Sequence, residues 1–163
     1  MIITKLGKKF IINFSLVSLI FILDRSSKLY VINLDAKYFE NGIFSSKFLD
    51  IYLIWNRGIA FGIFSFDQDN LYNILTSLIV IIIFVLLYYL STTKGLKMYA
   101  LIMIFGGAIG NLFDRIFYKA VPDFIDFHVG NFHWFIFNIA DVFISLGVFF
   151  MILTEIFVKD VKN

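Results

Sequence analysis

Four long apolar stretches, 10–32, 71–90, 98–118 and 135–158, constrain this chain more than any other feature. Crossing the ~30 Å hydrocarbon core of a bilayer takes about 20 mostly apolar residues in helical form, and each stretch has that length. Backbone in hydrocarbon must satisfy its own N–H and C=O groups, which leaves helices or a closed barrel. Apolar runs this long, with no period-2 alternation, predict four transmembrane helices. Composition agrees: 60% of the 163 residues are hydrophobic and 16% charged, and roughly 45–50% apolar is normal for soluble domains. No Pro-, Ser- or charge-rich linker and no repeat divides the chain, so 1–163 reads as a single integral-membrane domain.

The first stretch follows Lys5, Lys8 and Lys9, as a signal peptide would. Yet Asp24 and Lys28 stand where a small-residue cleavage site would have to be, so it reads as a retained span. Basic residues set orientation. Lys5, Lys8, Lys9, Lys94, Lys97, Lys159 and Lys162 crowd short segments on one side. Arg25, Lys28, Lys37, Lys47, Arg57 and Lys119 are spread over long segments on the other. Both termini are therefore expected in the cytoplasm.

The loop over 33–70 is rich in aromatic and β-branched residues. Strands are expected at 49–55 and 59–64, separated by the turn-like Asn56-Arg57-Gly58, with another turn at Asn41-Gly42. A small sheet on the membrane surface follows, or an ordinary interfacial loop anchored by aromatics. The fold class is thus mainly α, four transmembrane helices with a small β-sheet in the outer loop.

Several chemistries are excluded or unsupported. The chain has no cysteine, which removes disulfides, thiol nucleophiles and thiolate metal sites. A net charge of +2, with no basic patch interleaved with aromatics, gives nucleic acid no footprint. There is no glycine-rich phosphate loop and no serine-nucleophile elbow. His128 and His133 lie in an outer segment without an H-E-x-x-H helix, so they read as amphipathic interface residues. No cofactor or metal is expected.

What does stand out is polar. A charged side chain at bilayer depth costs at least ~2.5–3.5 kcal/mol, so such residues are usually functional. Asp24 and Lys28 end the first span, Asn111, Asp114 and Arg115 the third, and Asn138 and Asp141 open the fourth. With helices alternating in direction, all of them reach one level, the outer leaflet, joined by Asn56 and Asp123. Asp24 has Lys28 at i+4, on one helix face. Asp114 is beside Arg115, so both aspartates have cations to neutralise them. Asp141 has no basic residue on its helix, and Asp123 follows Pro122, which breaks the preceding helix.

Two poorly neutralised carboxylates at one depth fit either of two arrangements. Close carboxylates cannot both ionise, so they would share a proton, one acting as base toward water and the other as acid toward a scissile carbonyl. Alternatively each hydrogen-bonds a helix end or a cation from another segment. Gly106 and Gly110, with Gly107 and Ala108, give the third span a small-residue face on which helices approach closely.

In combination these blocks resemble lipoprotein signal peptidases, the signal peptidase II family. "DRSSK" (24–28) resembles the family's D-x-x-x-K, with Arg25-Ser26-Ser27 in its variable middle. "NRGIAFG" (56–62), "GGAIGNLFDR" (106–115), "VPDFIDF" (121–127) and "FNIAD" (137–141) match further blocks in order. The resemblance implies an aspartic endopeptidase of the bacterial inner membrane. It would cleave prolipoproteins just before a diacylglyceryl-modified cysteine at the outer leaflet, among membrane lipids, and be inhibited by globomycin. It implies Asp123 and Asp141 as the catalytic pair. It also implies that Asn56, Gly58, Arg115, Asn138, Asn111, Asp114, Asp24 and Lys28 bind substrate or support the pair.

Two rivals make distinct demands. A proton or ion pathway would spread polar residues through the whole bilayer, whereas the second stretch has little beyond Asn73, Thr76 and Ser77. A non-enzymatic scaffold would tolerate loss of Asp141.

Overall fold

The computed structural model describes residues 2–38, 42–58 and 69–158. They form α1 (Ile2–Tyr38), β1 (Phe44–Ser45), β2 (Leu49–Asn56), α2 (Asp69–Thr92), α3 (Leu96–Tyr118), β3 (Val121–Val129), β4 (Phe132–Phe137) and α4 (Ile139–Val158). All four helices are long and apolar enough to cross a membrane. At 1.5 Å per residue α1 is about 55 Å long, so it extends well past any hydrocarbon core.

The fourth stretch begins later than its hydropathy suggests. Phe135 belongs to β4, and α4 starts at Ile139. An exposed aromatic strand is as apolar as a lipid-facing helix, so composition does not separate them. The boundary is made by Asn138. Its side-chain oxygen accepts the Asp141 N–H (3.1 Å) while the Asp141 carboxylate accepts the Asn138 N–H (3.3 Å). This reciprocal cap satisfies donors that a helix start leaves open.

The sheet is antiparallel in the order β1-β2-β3-β4. β2 covers the expected strand at 49–55 and ends one residue later, at Asn56. The strand expected at 59–64 and Asn41 of the expected turn lie outside the described residues. The β3–β4 hairpin was not expected. Its signal is the Gly130-Asn131 pair between the two strands, where Gly130 takes a left-handed φ of +59° that glycine adopts without strain. α3 ends at Tyr118, the expected end of the third span, with Lys119 left-handed at φ 58°. Pro122 sits in β3 opposite Trp55, beyond the reach of β4, whose pairing begins at Ile125. A missing N–H is tolerated where a strand has one neighbour.

α3 is the central helix, packed against α1, α2 and α4. Ile20, Met98 and Ile102 form its buried apolar contact with α1. α2 buries Tyr72, half-buries Leu75, Ile79, Ile83 and Leu86, and exposes Ile74, Leu78, Ile81, Phe84 and Val85, as a helix with one lipid-facing side does. The glycine face of α3 sets the helix spacing. A Cβ on Gly107 would fall 2.5 Å from the Ala140 carbonyl oxygen of α4, and one on Gly110 2.5 Å from Asp24 Oδ2 of α1. With no side chain there, α1, α3 and α4 approach closely enough for their polar stretches to touch.

Candidate active site

The C-terminal end of α3 and the first turn of α4 meet the stretch of α1 around Asp24–Lys28, which does not end the helix as expected, since α1 runs on to Tyr38; β2 and β3 close over them. β3 delivers Asp123 and the first turn of α4 delivers Asp141, both almost fully buried. Asparagine amides hold the two carboxylates. Asn56 Nδ2, at the end of β2, donates to Asp123 Oδ2 (2.8 Å), and Asn138 Nδ2 donates to Asp123 Oδ1 (2.6 Å). Asn111 Nδ2 donates to Asp141 Oδ1 (2.8 Å). Asn138 thus joins the pair: its side chain reaches Asp123 while its own N–H reaches Asp141. No Lys or Arg forms a salt bridge with either carboxylate among the described residues. Burial, and then the nearby Asp141, push the Asp123 carboxyl up to about 7, against the opposing hydrogen bonds from Asn56 and Asn138.

Behind the pair lies a second, ionic layer. Lys28, fully buried, places its ammonium 2.8 Å from Asp24 Oδ2, 2.6 Å from Asp114 Oδ2 and 2.9 Å from Asn111 Oδ1. Arg25 pairs with Asp114 from the other side and lies over the rings of Phe113 and Tyr118. Asp24 turns its second oxygen to the Ala140 N–H in the first turn of α4 (2.9 Å). The expected Asp24–Lys28 pair is therefore present. Asp114 differs: its cations are Lys28 and Arg25 of α1, not the adjacent Arg115. Neighbours in a helix diverge by about 100°, so Arg115 faces elsewhere. The sequence places Arg25 only in the variable middle of its motif, yet an arginine inside a span is itself a signal.

Arg115 clamps the segment after β2, donating to the Gly58 carbonyl (2.5 Å). Gly58 N–H in turn donates to Asn56 Oδ1 (2.7 Å), a tight side-chain turn that orients the Asn56 amide toward Asp123. The Tyr72 hydroxyl of α2 donates to the Arg115 carbonyl (3.1 Å), a contact no sequence pattern announced. Nε and Nη1 of Arg115 are buried without a hydrogen-bond partner among the described residues. Every candidate residue named from the sequence thus lies in this cluster.

Asn56, Asn111, Arg115, Asp123 and Asp141 line one side of a cavity of ≈ 340 Å³. Leu75, Leu78, Ile79, Ile82 and Ile83 of α2 form much of the rest. An apolar trough thus ends on two hydrogen-bonded carboxylates and a guanidinium. Polar groups do not continue along α2, where Thr76 and Ser77 bond carbonyls of their own helix.

Fold and site together define a multi-pass helical membrane protein with a buried carboxylate pair facing an apolar cavity. The family model described as Signal peptidase (SPase) II matches residues 16–157. A lipoprotein signal peptidase of Pelagibacter ubique (strain HTCC1062) is 45% identical over 156 residues, covering 96% of this chain and 94% of that protein. One of Anaplasma phagocytophilum (strain HZ) is 37% identical over 150 residues, covering 91% and 94%. A bacterial membrane enzyme solved by the in meso method at 2.3 Å superposes with a TM-score of 0.77 at 27% identity, covering 93% of this chain and 91% of that one. A second, at 1.9 Å, gives 0.66 at 29% identity, covering 88% and 91%. The chain belongs to the signal peptidase II family, a family of membrane peptidases.

Proposed function

We propose that this protein is an aspartic endopeptidase that removes signal peptides from bacterial prolipoproteins, cutting before the diacylglyceryl-modified cysteine. The observation that carries it is the Asp123–Asp141 pair, buried, tethered by asparagines and facing an apolar cavity. A signal peptide is an apolar segment, and α2 offers it an apolar wall. The substrate's acyl chains stay in the bilayer, so its scissile bond meets a site built at helix ends.

The chemistry follows from one shared proton. The ionised carboxylate takes a proton from water as the oxygen attacks the scissile carbonyl carbon, and the protonated carboxyl gives its proton to the carbonyl oxygen. The resulting gem-diol collapses as the C–N bond breaks, with a proton passing to the departing nitrogen. No covalent intermediate forms. Nε and Nη1 of Arg115, which have no hydrogen-bond partner among the described residues, are suited to hold a backbone carbonyl of the substrate.

The test is cleavage of a purified, diacylglyceryl-modified prolipoprotein by the full chain in detergent. Release of the signal peptide is expected, with globomycin blocking it. Intact substrate after prolonged incubation with folded enzyme would end this reading. Topology gives a separate check: tags at both termini should be protected in intact cells, and a tag at Gly42 accessible from outside. Termini on opposite faces would refute the four-span arrangement in the inner membrane.

A further inference from the structure

The β3–β4 hairpin carries a second group of chemically capable side chains that the peptidase reading does not use. Side chains alternate along a strand, so Asp123 and Asp126, three apart on β3, point to opposite faces of the sheet. Asp126 stands opposite Asp50 of β2, and His128, two residues on, stands opposite His133 of β4. The register shifts by one residue between these last pairs, because β4 takes three steps from Ile136 to His133 while β3 takes two. Without that bulge Trp134 would oppose His128. Bulges re-aim side chains in this way.

The outcome is a compact set of donors. Ligand atoms of Asp126, His128 and His133 all lie within 4.8 Å of one another. The two imidazoles stack with centroids 5.0 Å apart, and His133 Nδ1 is 2.7 Å from Asp126 Oδ2. Asp126 is fully buried, and Tyr52 donates a hydroxyl to its Oδ2 (3.0 Å). Its Oδ1 has no hydrogen-bond partner among the described residues, and neither do His128 Nδ1 and Asp50 Oδ1. His128 Nδ1 and Asp50 Oδ2 are 3.7 Å apart, too far for a hydrogen bond. Buried polar atoms without partners are uncommon in native proteins and call for a cause.

We propose that Asp126, His128 and His133 bind a divalent transition-metal ion of the zinc class, with Asp50 or water completing the shell. Two imidazoles and a carboxylate suit zinc, whereas calcium and magnesium prefer all-oxygen sites. Ligands at ~2.0–2.2 Å from a tetrahedral ion lie roughly 3.3–3.6 Å apart, so side-chain shifts on the order of 1 Å, with His133 Nδ1 and Asp126 Oδ2 moving apart from 2.7 Å and the wider pairs drawing in, close the site. The Tyr52 hydroxyl on the Asp126 carboxylate acts as an outer partner that fixes the ligand's orientation. The ion bridges β3 to β4 and holds the strand that carries Asp123, without touching the reacting atoms. The inference does not rest on the proposed reaction.

The test uses the untagged full chain in detergent, with zinc competed against a chromophoric chelator and unfolding followed thermally. Saturation at one zinc per chain is expected, with the midpoint raised by several degrees at excess zinc. Both effects should be lost in His133→Gln and in His128→Ala and kept in Asp123→Asn. Because His133 is half exposed, its replacement leaves the fold in place. No binding at ~100 µM free zinc, equal binding by the His128→Ala/His133→Gln double variant, or an equal rise with magnesium would each overturn the proposal.

Discussion

Asp123→Asn and Asp141→Asn should each lower prolipoprotein cleavage by about 10²–10⁴-fold, the range in which removing one acid–base group acts. The protein should stay folded. Asp123 accepts hydrogen bonds from Asn56 and Asn138, and an asparagine there keeps an oxygen for one of them. A lost hydrogen bond costs about 1 kcal/mol, offset by removing the burial penalty of a carboxylate. The measurement pairs cleavage rates with thermal unfolding in detergent. Near wild-type turnover in either variant would remove that residue from the chemistry.

The pH dependence separates a proton-sharing pair from two structural carboxylates. In the proposed mechanism one protonated carboxyl of the pair is the donor, and a carboxyl pushed up to about 7 gives up its proton as pH rises past that value. Cleavage should therefore decline as pH rises through about 7. Stability carries the same sign, since a carboxyl whose folded pKa lies above its unfolded value contributes stability at low pH and loses it as pH rises through the folded pKa. Between the ordinary value of 3.8 and about 7 the wild type should lose stability relative to Asp123→Asn. A flat difference between the two melting curves across that window would show that Asp123 does not titrate there.

The helical spans were legible because hydrocarbon imposes length and composition on anything that crosses it. The site was legible for a related reason: buried polar residues are costly in apolar helices, so Asp24, Asn111, Asp114 and Asp141 advertise themselves. The partner of each was not. Asp114 sits beside Arg115 in sequence yet pairs with Lys28 and Arg25 of another helix. Pairings between helices depend on rotation and close approach, and Gly107 and Gly110 permit that approach without saying which side chains will meet. The β3–β4 hairpin stayed hidden because its aromatic residues extend the apolar signal of α4. The grouping of Asp126, His128 and His133 depends on a one-residue bulge that no spacing rule reveals.

Among single substitutions in the polar cluster, Lys28→Met should destabilise the protein most. In the wild type Lys28 and Arg25 balance Asp24 and Asp114, all within the helix bundle. Removing the ammonium leaves Asp24 buried without a cation, and breaking a buried pair this way costs about 3–5 kcal/mol. For a chain of this size that corresponds to a fall in Tm on the order of 10 °C. Arg115→Ala should lose less, since Arg115 neutralises no carboxylate and its guanidinium bonds the Gly58 carbonyl. Lys28 also orients the site. Asn111 Oδ1 accepts from Lys28 and from Asn138 Nδ2 (3.2 Å), which obliges Asn111 Nδ2 to face Asp141. The double variant Lys28→Met/Asp24→Asn distinguishes these roles. Neutralising Asp24 should restore most of the stability, because the new amide oxygen still accepts the Ala140 N–H and Arg25 still meets Asp114. Cleavage should stay depressed, because the Asn111 amide has then lost the ammonium that fixes it. If Lys28→Met melted with the wild type, the ionic layer would not hold the helices together. If the double variant regained full turnover, Lys28 would serve the fold alone.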